Sequence, residues 1–510
     1  VASRDAARAG FAVSLSLLLE MAASAEPNRT AVVSDGVRLT TGELSTLADG
    51  GAGVVSATAA QTVVYVGTGG AMLPLLMFGA ARAAVPFCPL NYRLSGSGLH
   101  ELIGRLPDPV IVADREYVDV LTGAGRRIIE STEFLAAAGR TAAVSEFADP
   151  DGVGVVLFTS GTSAQPKAVE LTHNNLTSYV MGTVDFGAAE PDDAALVCVP
   201  PYHIAGVGAA LSNLYAGRKT VYLRHFDPRE WVRLVAEEGI TTATVVPTML
   251  DRIITELERE PIAVPTLKNL AYGGSKVPLP LVRKTIDMLP GVGLVNAYGL
   301  TETSSTISVL TPEDHVTAFE ASDPDIARRL GSVGRAVPGV EIEIRGDGGE
   351  VLGPDEVGEL FVRGEQVSGR YTGIGSVLDA DGWFATRDTA SVDSHGYLYI
   401  GGRSDDTIIR GGENIAPAEI EDVLVEHGAV HQVAVVGLDD AEWGQLIVAV
   451  VVPEVGASPD GEELRQYVRA RLRGSRTPDR VVFVGGLPTT PTGKILRRVI
   501  VEQLQLSPAE

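Results

Sequence analysis

The sequence predicts an α/β fold: a large N-terminal domain of parallel-sheet αβ subdomains plus a β-rich subdomain, and a small mobile α+β C-terminal domain. Three observations carry the prediction. Between residues 60 and 260 short apolar runs alternate with helical stretches, the pattern of a parallel sheet flanked by helices. From residue 331 the texture changes to short strands and Gly-rich turns. Past Gly402-Arg403-Ser404-Asp405 a compact unit begins with strands and helices of its own. A chain of 510 residues also exceeds one ordinary core, and we expect domains at 1–403 and 404–510.

Taken in order, the opening stretch imitates a secretory signal, with Arg4 and Arg8 before GFAVSLSLLL and MAASA. Leu15, Leu18, Leu19 and Ala22 nevertheless share one helical face and Glu20 interrupts the apolar run, so an ordinary opening helix is expected. Strand, Asp35-Gly36 turn, strand and helix follow. TVVYV (62–66), VPFCPL (85–90) and PVIVAD (109–114) read as buried strands, with helices over 72–83 and 99–106. AALVCVPP (194–201), KTVYL (219–223) and TATVVP (242–247) continue the series, with a helix from 231. The β-rich part comprises 340–351, 358–365 and 397–403. The last unit reads strand (407–410), helix (417–426, closed by Gly428), strands (430–438, 446–453), helix (461–472), strand (480–484) and a loop over 487–498. No other stretch reaches membrane-spanning length without interruption, so no integral membrane segment is expected.

Net charge is −24, from 41 basic and 65 acidic residues, which argues against a nucleic-acid partner or an anionic membrane surface. Cys88 and Cys198 are far apart and fit no metal-ligand spacing, as expected of core residues in a reducing cytoplasm.

One stretch suggests chemistry: LFTSGTSAQPKAVELTHNN, residues 157–175. A buried strand, a small-residue loop with Lys167 and a helix capped at Thr172 would aim loop N–H groups and a helix terminus at an anion. It is not a Walker A sequence, because Pro166-Lys167-Ala168 fills the slot for Gly-Lys-Ser/Thr. Thr159, Ser160, Gly161, Thr162 and Ser163 still offer donors to phosphate oxygens, and Lys167 a point charge. By itself the loop reads equally well as a surface turn.

The loop resembles the TSGTTGxPKGV signature of the adenylate-forming superfamily, which holds acyl-CoA synthetases, peptide-synthetase adenylation domains and firefly luciferase. PPYHIAG (200–206), YGGSK (272–276), NAYGLTE (296–302), GELFVRGE (358–365), GWFATRD (382–388), GRSDDTIIRGGENIAPAEIE (402–421) and PTTPTGKILR (489–497) follow in the right order. The resemblance implies two steps: a carboxylic acid attacks the α-phosphate of ATP, and a thiol then displaces AMP. It implies ATP, Mg2+ and coenzyme A as ligands. Thr159 to Lys167 would grip the β- and γ-phosphates. Glu302 would hold the metal and Thr301 the α-phosphate. Tyr298, within Asn296-Ala297-Tyr298-Gly299, would stack on adenine beside Gly274, Ser275 and Lys276. Asp388 would hold the ribose hydroxyls, and Arg403 would make another contact to the nucleotide's ribose or phosphate. Lys494 would serve adenylation, Asp405 would be the hinge, and Gly411 and Gly412 would approach the pantetheine arm. Only six lysines occur, at 167, 219, 268, 276, 284 and 494, and two of them match the superfamily's lysine positions.

Five positions depart from the superfamily pattern: Ser163-Ala164 and Ala168 in the loop, Arg387 where Gly is usual, and Lys276 where a neutral residue is commoner. His203 would sit at the mouth of the acyl pocket. No Asp near PPYHIAG could hold an amino acid's ammonium, and the pocket segments offer small and apolar groups. The expectation is an acid–CoA ligase for an uncharged tail, a fatty acid first. The alternatives are transfer to a carrier protein, or a nucleotide-binding regulator without turnover. A homodimer is left open.

Overall fold

The computed structural model describes residues 13–144, 148–159, 166–440, 442–472, 474–490 and 493–506. Two large sheets form the main body. The nine-stranded sheet runs parallel through Thr30–Ser34, Lys219–Tyr222, Ala194–Val197, Thr242–Val245, Asn269–Gly273 and Gly293–Leu300, with antiparallel strands at both edges. The eight-stranded sheet is parallel through Ile128–Glu130, Pro109–Ala113, Thr62–Val66, Phe87–Pro89 and Val153–Thr159. One apolar core, including Leu15, Phe78 and Trp231, joins the helices to both sheets.

The opening helix, Ser16–Ala25, buries Leu18, Leu19 and Ala22, and Leu15 just before it is fully buried. Leu15 N–H donates to Nδ1 of His173, tying this segment to helix His173–Thr183. Burial drives His173 down to about 4, so the ring is neutral and its Nδ1 is free to accept.

The signature stretch differs from its expected strand–loop–helix form. Lys167–Thr172 is a second strand, paired antiparallel with Val153–Thr159, and the helix starts only at His173. Thr172 does cap that helix: its hydroxyl accepts from Asn175 N–H, and Asn175 reaches back in a capping box. A strand rather than a helix therefore follows the loop directly.

Four antiparallel strands, Glu341–Arg345, Gly358–Arg363, Phe384–Val392 and Leu398–Arg403, make the β-rich part. A short turn over Ser404–Asp406 leads into the terminal unit. There Val430–Asp440, Gly444–Pro453 and Arg480–Phe483 form a three-stranded sheet with its own apolar clusters, and Ile408–Arg410 pairs with Glu413–Ile415 in a hairpin. The helix expected over 461–472 ends at Arg469, and an unforeseen helix, Arg497–Leu506, follows the last loop. Among the described residues no helix is long and apolar enough to cross a membrane.

Candidate active site

In open α/β sheets a ligand site lies beyond the carboxyl ends of the parallel strands. Here those ends carry Gly273-Gly274-Ser275 and the NAYGLTE segment. Close backbone approach explains two glycines: a Cβ on Gly273 would lie 2.2 Å from the Ala297 carbonyl oxygen, and one on Gly299 only 1.7 Å from that of Ser305. Gly274 is left-handed, at φ +84. Asn296 spends its amide on the Ser332 carbonyl, at 3.2 Å, so its side chain braces the fold.

Tyr298, on strand Gly293–Leu300, donates its hydroxyl to Oδ2 of Asp388, and Arg403 Nη1 reaches Oδ1 at 3.2 Å. Asp388 is only 5% exposed. Burial raises its carboxyl above the ordinary range, while Arg403, Tyr298 and Lys494 pull it back. Two protein donors leave a carboxylate with about two further acceptor positions, enough for a pair of hydroxyls. Burial and the neighbouring Asp388 raise the Tyr298 phenol, so it stays a donor.

Glu302 stands in the turn Thr301–Thr303, directly after that strand. Its Oε1 accepts from the Tyr371 hydroxyl at 2.9 Å and its carbonyl from Ser368 N–H at 2.8 Å. Lys167 Nζ lies 5.4 Å from the Tyr371 ring centroid, within cation–π range. Tyr371 thus joins Lys167 to Glu302, and it lies within the electrostatic reach of Arg387 and Arg403. Sequence reasoning missed Tyr371; its one signal is a lone aromatic in the turn-rich SGRYTG.

Lys494 enters from the terminal unit. Its backbone N–H donates to Thr490 Oγ1 at 3.0 Å and its carbonyl accepts from Thr490 N–H at 2.8 Å, which closes a tight loop. Gly493 is left-handed at φ +76, and a Cβ there would lie 2.8 Å from Thr248 Oγ1. The loop is therefore seated on helix Pro247–Arg259 of the large body. Burial and Arg403 lower the Lys494 ammonium, with Asp406 and Asp388 opposing. Contacts and charge interactions that run through Tyr371 and Arg403 thus link Lys167, Glu302, Asp388, Arg403 and Lys494.

Other expected residues stand elsewhere or are otherwise engaged. Ser160, Gly161, Thr162, Ser163 and Ala164 lie outside the described residues. Lys276 turns its ammonium to Asp422 Oδ2 at 2.6 Å, so its side chain is engaged by the terminal unit, whereas the expected place beside the base concerned its backbone. Gly411 and Gly412 are exposed at the hairpin tip, with Gly411 N–H bonded to the Trp443 carbonyl at 2.8 Å. Asp405 lies in the turn Ser404–Asp406, 3.9 Å from Arg387. His203 precedes helix Ile204–Ala216; burial and Arg93 lower it to about 4, and its Nε2 has no partner among the described residues. Burial thus leaves the ring neutral near pH 7. Ala168 is a buried residue of strand Lys167–Thr172 and carries no positive φ, so that departure stores no strain. Arg387, at φ +62, does occupy the left-handed region where glycine is cheaper.

A large α/β body, with carboxylates and cations at its strand ends and a lysine supplied by a separate terminal unit, defines an adenylate-forming enzyme. The chain belongs to the AMP-binding enzyme family: the family model matches residues 19–372, and the AMP-binding enzyme C-terminal domain matches 419–494. It is similar to a feruloyl-CoA synthase of an Amycolatopsis species, 33% identical and covering 92% of this chain and 95% of that one. An indoleacetate–CoA ligase of Aromatoleum aromaticum is 30% identical, covering 96% and 98%. The structure of ATP-bound MatB from Rhodopseudomonas palustris matches with a TM-score of 0.86 at 25% identity, over 96% of this chain and 99% of that one.

Proposed function

We propose that this chain is an AMP-forming carboxylic acid–coenzyme A ligase for an acid with an uncharged, apolar tail. The observation that supports the reading is the linked cluster of Lys167, Glu302, Tyr371, Asp388, Arg403 and Lys494. The first reaction brings a carboxylate to a polyanion, so catalysis is mainly neutralisation and positioning. A carboxylate oxygen of the acid bonds to the α-phosphorus of ATP as the bond to pyrophosphate breaks. Asp388 holds the ribose hydroxyls through its remaining acceptor positions, and Arg403 fixes Asp388. The Lys494 ammonium lies between acid and α-phosphate, with Thr301 beside it, and Lys167 draws off charge at the far phosphates. The thiol of coenzyme A then attacks the acyl carbon and AMP leaves.

Magnesium fits a site with a single carboxylate, since it binds through one or two carboxylates together with substrate phosphates. Glu302 Oε1 is held by Tyr371, and Oε2 has no hydrogen bond among the described residues. Glu302 would hold the ion, which neutralises phosphate charge when bound.

For the second step, the terminal unit, beginning at 404, turns about Asp405 and brings Gly411-Gly412 to the cleft. The names of the two relatives add aryl and arylalkanoic acids to the fatty acid expected from sequence. ATP–pyrophosphate exchange across a panel of fatty and aryl acids, followed by thioester assay, tests the reading. Exchange with an apolar acid and CoA-dependent thioester are expected. Exchange without thioester would point to a carrier protein, and ATP binding without exchange to a regulator.

A further inference from the structure

Three of the contacts between the large body and the terminal unit, among the described residues, mark a seam. Gly493 is seated against Thr248, and His431 Nε2 lies 3.7 Å from Asp251 Oδ2 on the same helix. The third is the Lys276–Asp422 ion pair at 2.6 Å, between the loop after strand Asn269–Gly273 and helix Pro417–Val425. Of the neighbouring acids on that helix, Glu419 pairs with Arg476 and Glu421 with Arg497, both inside the terminal unit. Asp422 points outward instead and meets a lysine in a chain that has only six.

We propose that Lys276 and Asp422 are positioning residues for adenylation: their ion pair holds the terminal unit in the orientation that brings Lys494 to the cleft, and it parts when that unit turns. The proposal rests on the two-step ligase reading above. The pair suits this task because it is weak. Both side chains are about half exposed, at 47% and 58%, so water and salt screen the attraction. Such a pair biases an equilibrium between orientations a few-fold without locking either. A buried pair would hold the unit too firmly to turn once per cycle.

Zero-length carbodiimide coupling of the whole enzyme, followed by peptide mass spectrometry, should find an amide between Lys276 and Asp422. Asp422→Lys and Lys276→Asp should each lower ATP–pyrophosphate exchange by about two- to fivefold at low salt. Thioester formation from supplied acyl-adenylate should hold steady or rise. The double exchange, Lys276→Asp with Asp422→Lys, should restore exchange and the cross-link, and high salt should level the difference. Equal loss in both half-reactions, no rescue by the double exchange, or no cross-link would overturn the proposal. Should the parent enzyme exchange with no acid, the ligase reading fails, and the cross-link in parent, single and double variants alone decides whether the pair holds the seam.

Discussion

Tyr371 has a small polar group with a large leverage, because its hydroxyl orients Glu302 and its ring lies under Lys167. Hydrogen bonds to charged groups contribute about 1.5–3 kcal/mol, so Tyr371→Phe should slow adenylation by roughly tenfold or more. The magnesium concentration for half-maximal exchange should rise, while the fold, followed by thermal melting, should change little. At Asp388 the same logic gives a pH effect. Its carboxyl is raised by burial and held down partly by Tyr298, and it must be ionised to accept two hydroxyls. Tyr298→Phe removes one of the groups favouring the anion, so protonation should begin at higher pH. The acid limb of the kcat/KM profile should therefore move upward in pH; an unmoved or lowered limb would contradict the account.

At the scale of elements, legibility in the sequence followed period and punctuation. Buried strands such as Thr62–Val66 and the face of Leu15, Leu18 and Leu19 were readable because burial imposes a pattern. Strand Lys167–Thr172 was not, since KAVELT alternates too briefly and Thr172 announces a helix next to it. Helix Arg497–Leu506 was hidden behind the motif that precedes it. Lys276 shows a further limit: its partner Asp422 is 146 residues away, and no local pattern encodes that pairing. The Ser305 carbonyl that excludes a side chain at Gly299 is equally invisible until two strands are paired. Gly299→Ala would place a Cβ 1.7 Å from that oxygen, forcing the strands apart. Overpacking of this kind costs about 1–3 kcal/mol or more, and a lowered melting temperature with weakened ATP binding is expected. The helices impose a separate pH demand. His173 falls from 6.5 to about 4 on folding because the ring is buried neutral. A His lowered in the fold binds protons more readily unfolded, so stability is full above 6.5 and declines as pH falls from 6.5 toward 4. Melting scans should show that decline, and His173→Gln should flatten it.

For the whole molecule, the arrangement of two bodies matters more than any single contact. Lys494 lies near Asp388 and Arg403 with its loop seated on Thr248, while Gly411 and Gly412 stand exposed in the hairpin of the same unit. On the proposed reading one unit carries both the lysine for the first reaction and the glycines for the second, and of these only the lysine lies near Asp388 and Arg403 here. If the unit turns between the two, removing the ammonium should harm one reaction and spare the other. Lys494→Ala takes away a positive charge close to Asp388 and Arg403, where electrostatic stabilisation by one preorganised group is commonly worth a hundredfold or more, roughly 10²–10³. Adenylate formation, followed as ATP–pyrophosphate exchange, should fall by about that factor. Thioester formation from supplied acyl-adenylate and coenzyme A should fall far less, since the ammonium is then turned away from the cleft. Equal losses would mean that Lys494 remains in place for both reactions, and that the terminal unit does not alternate.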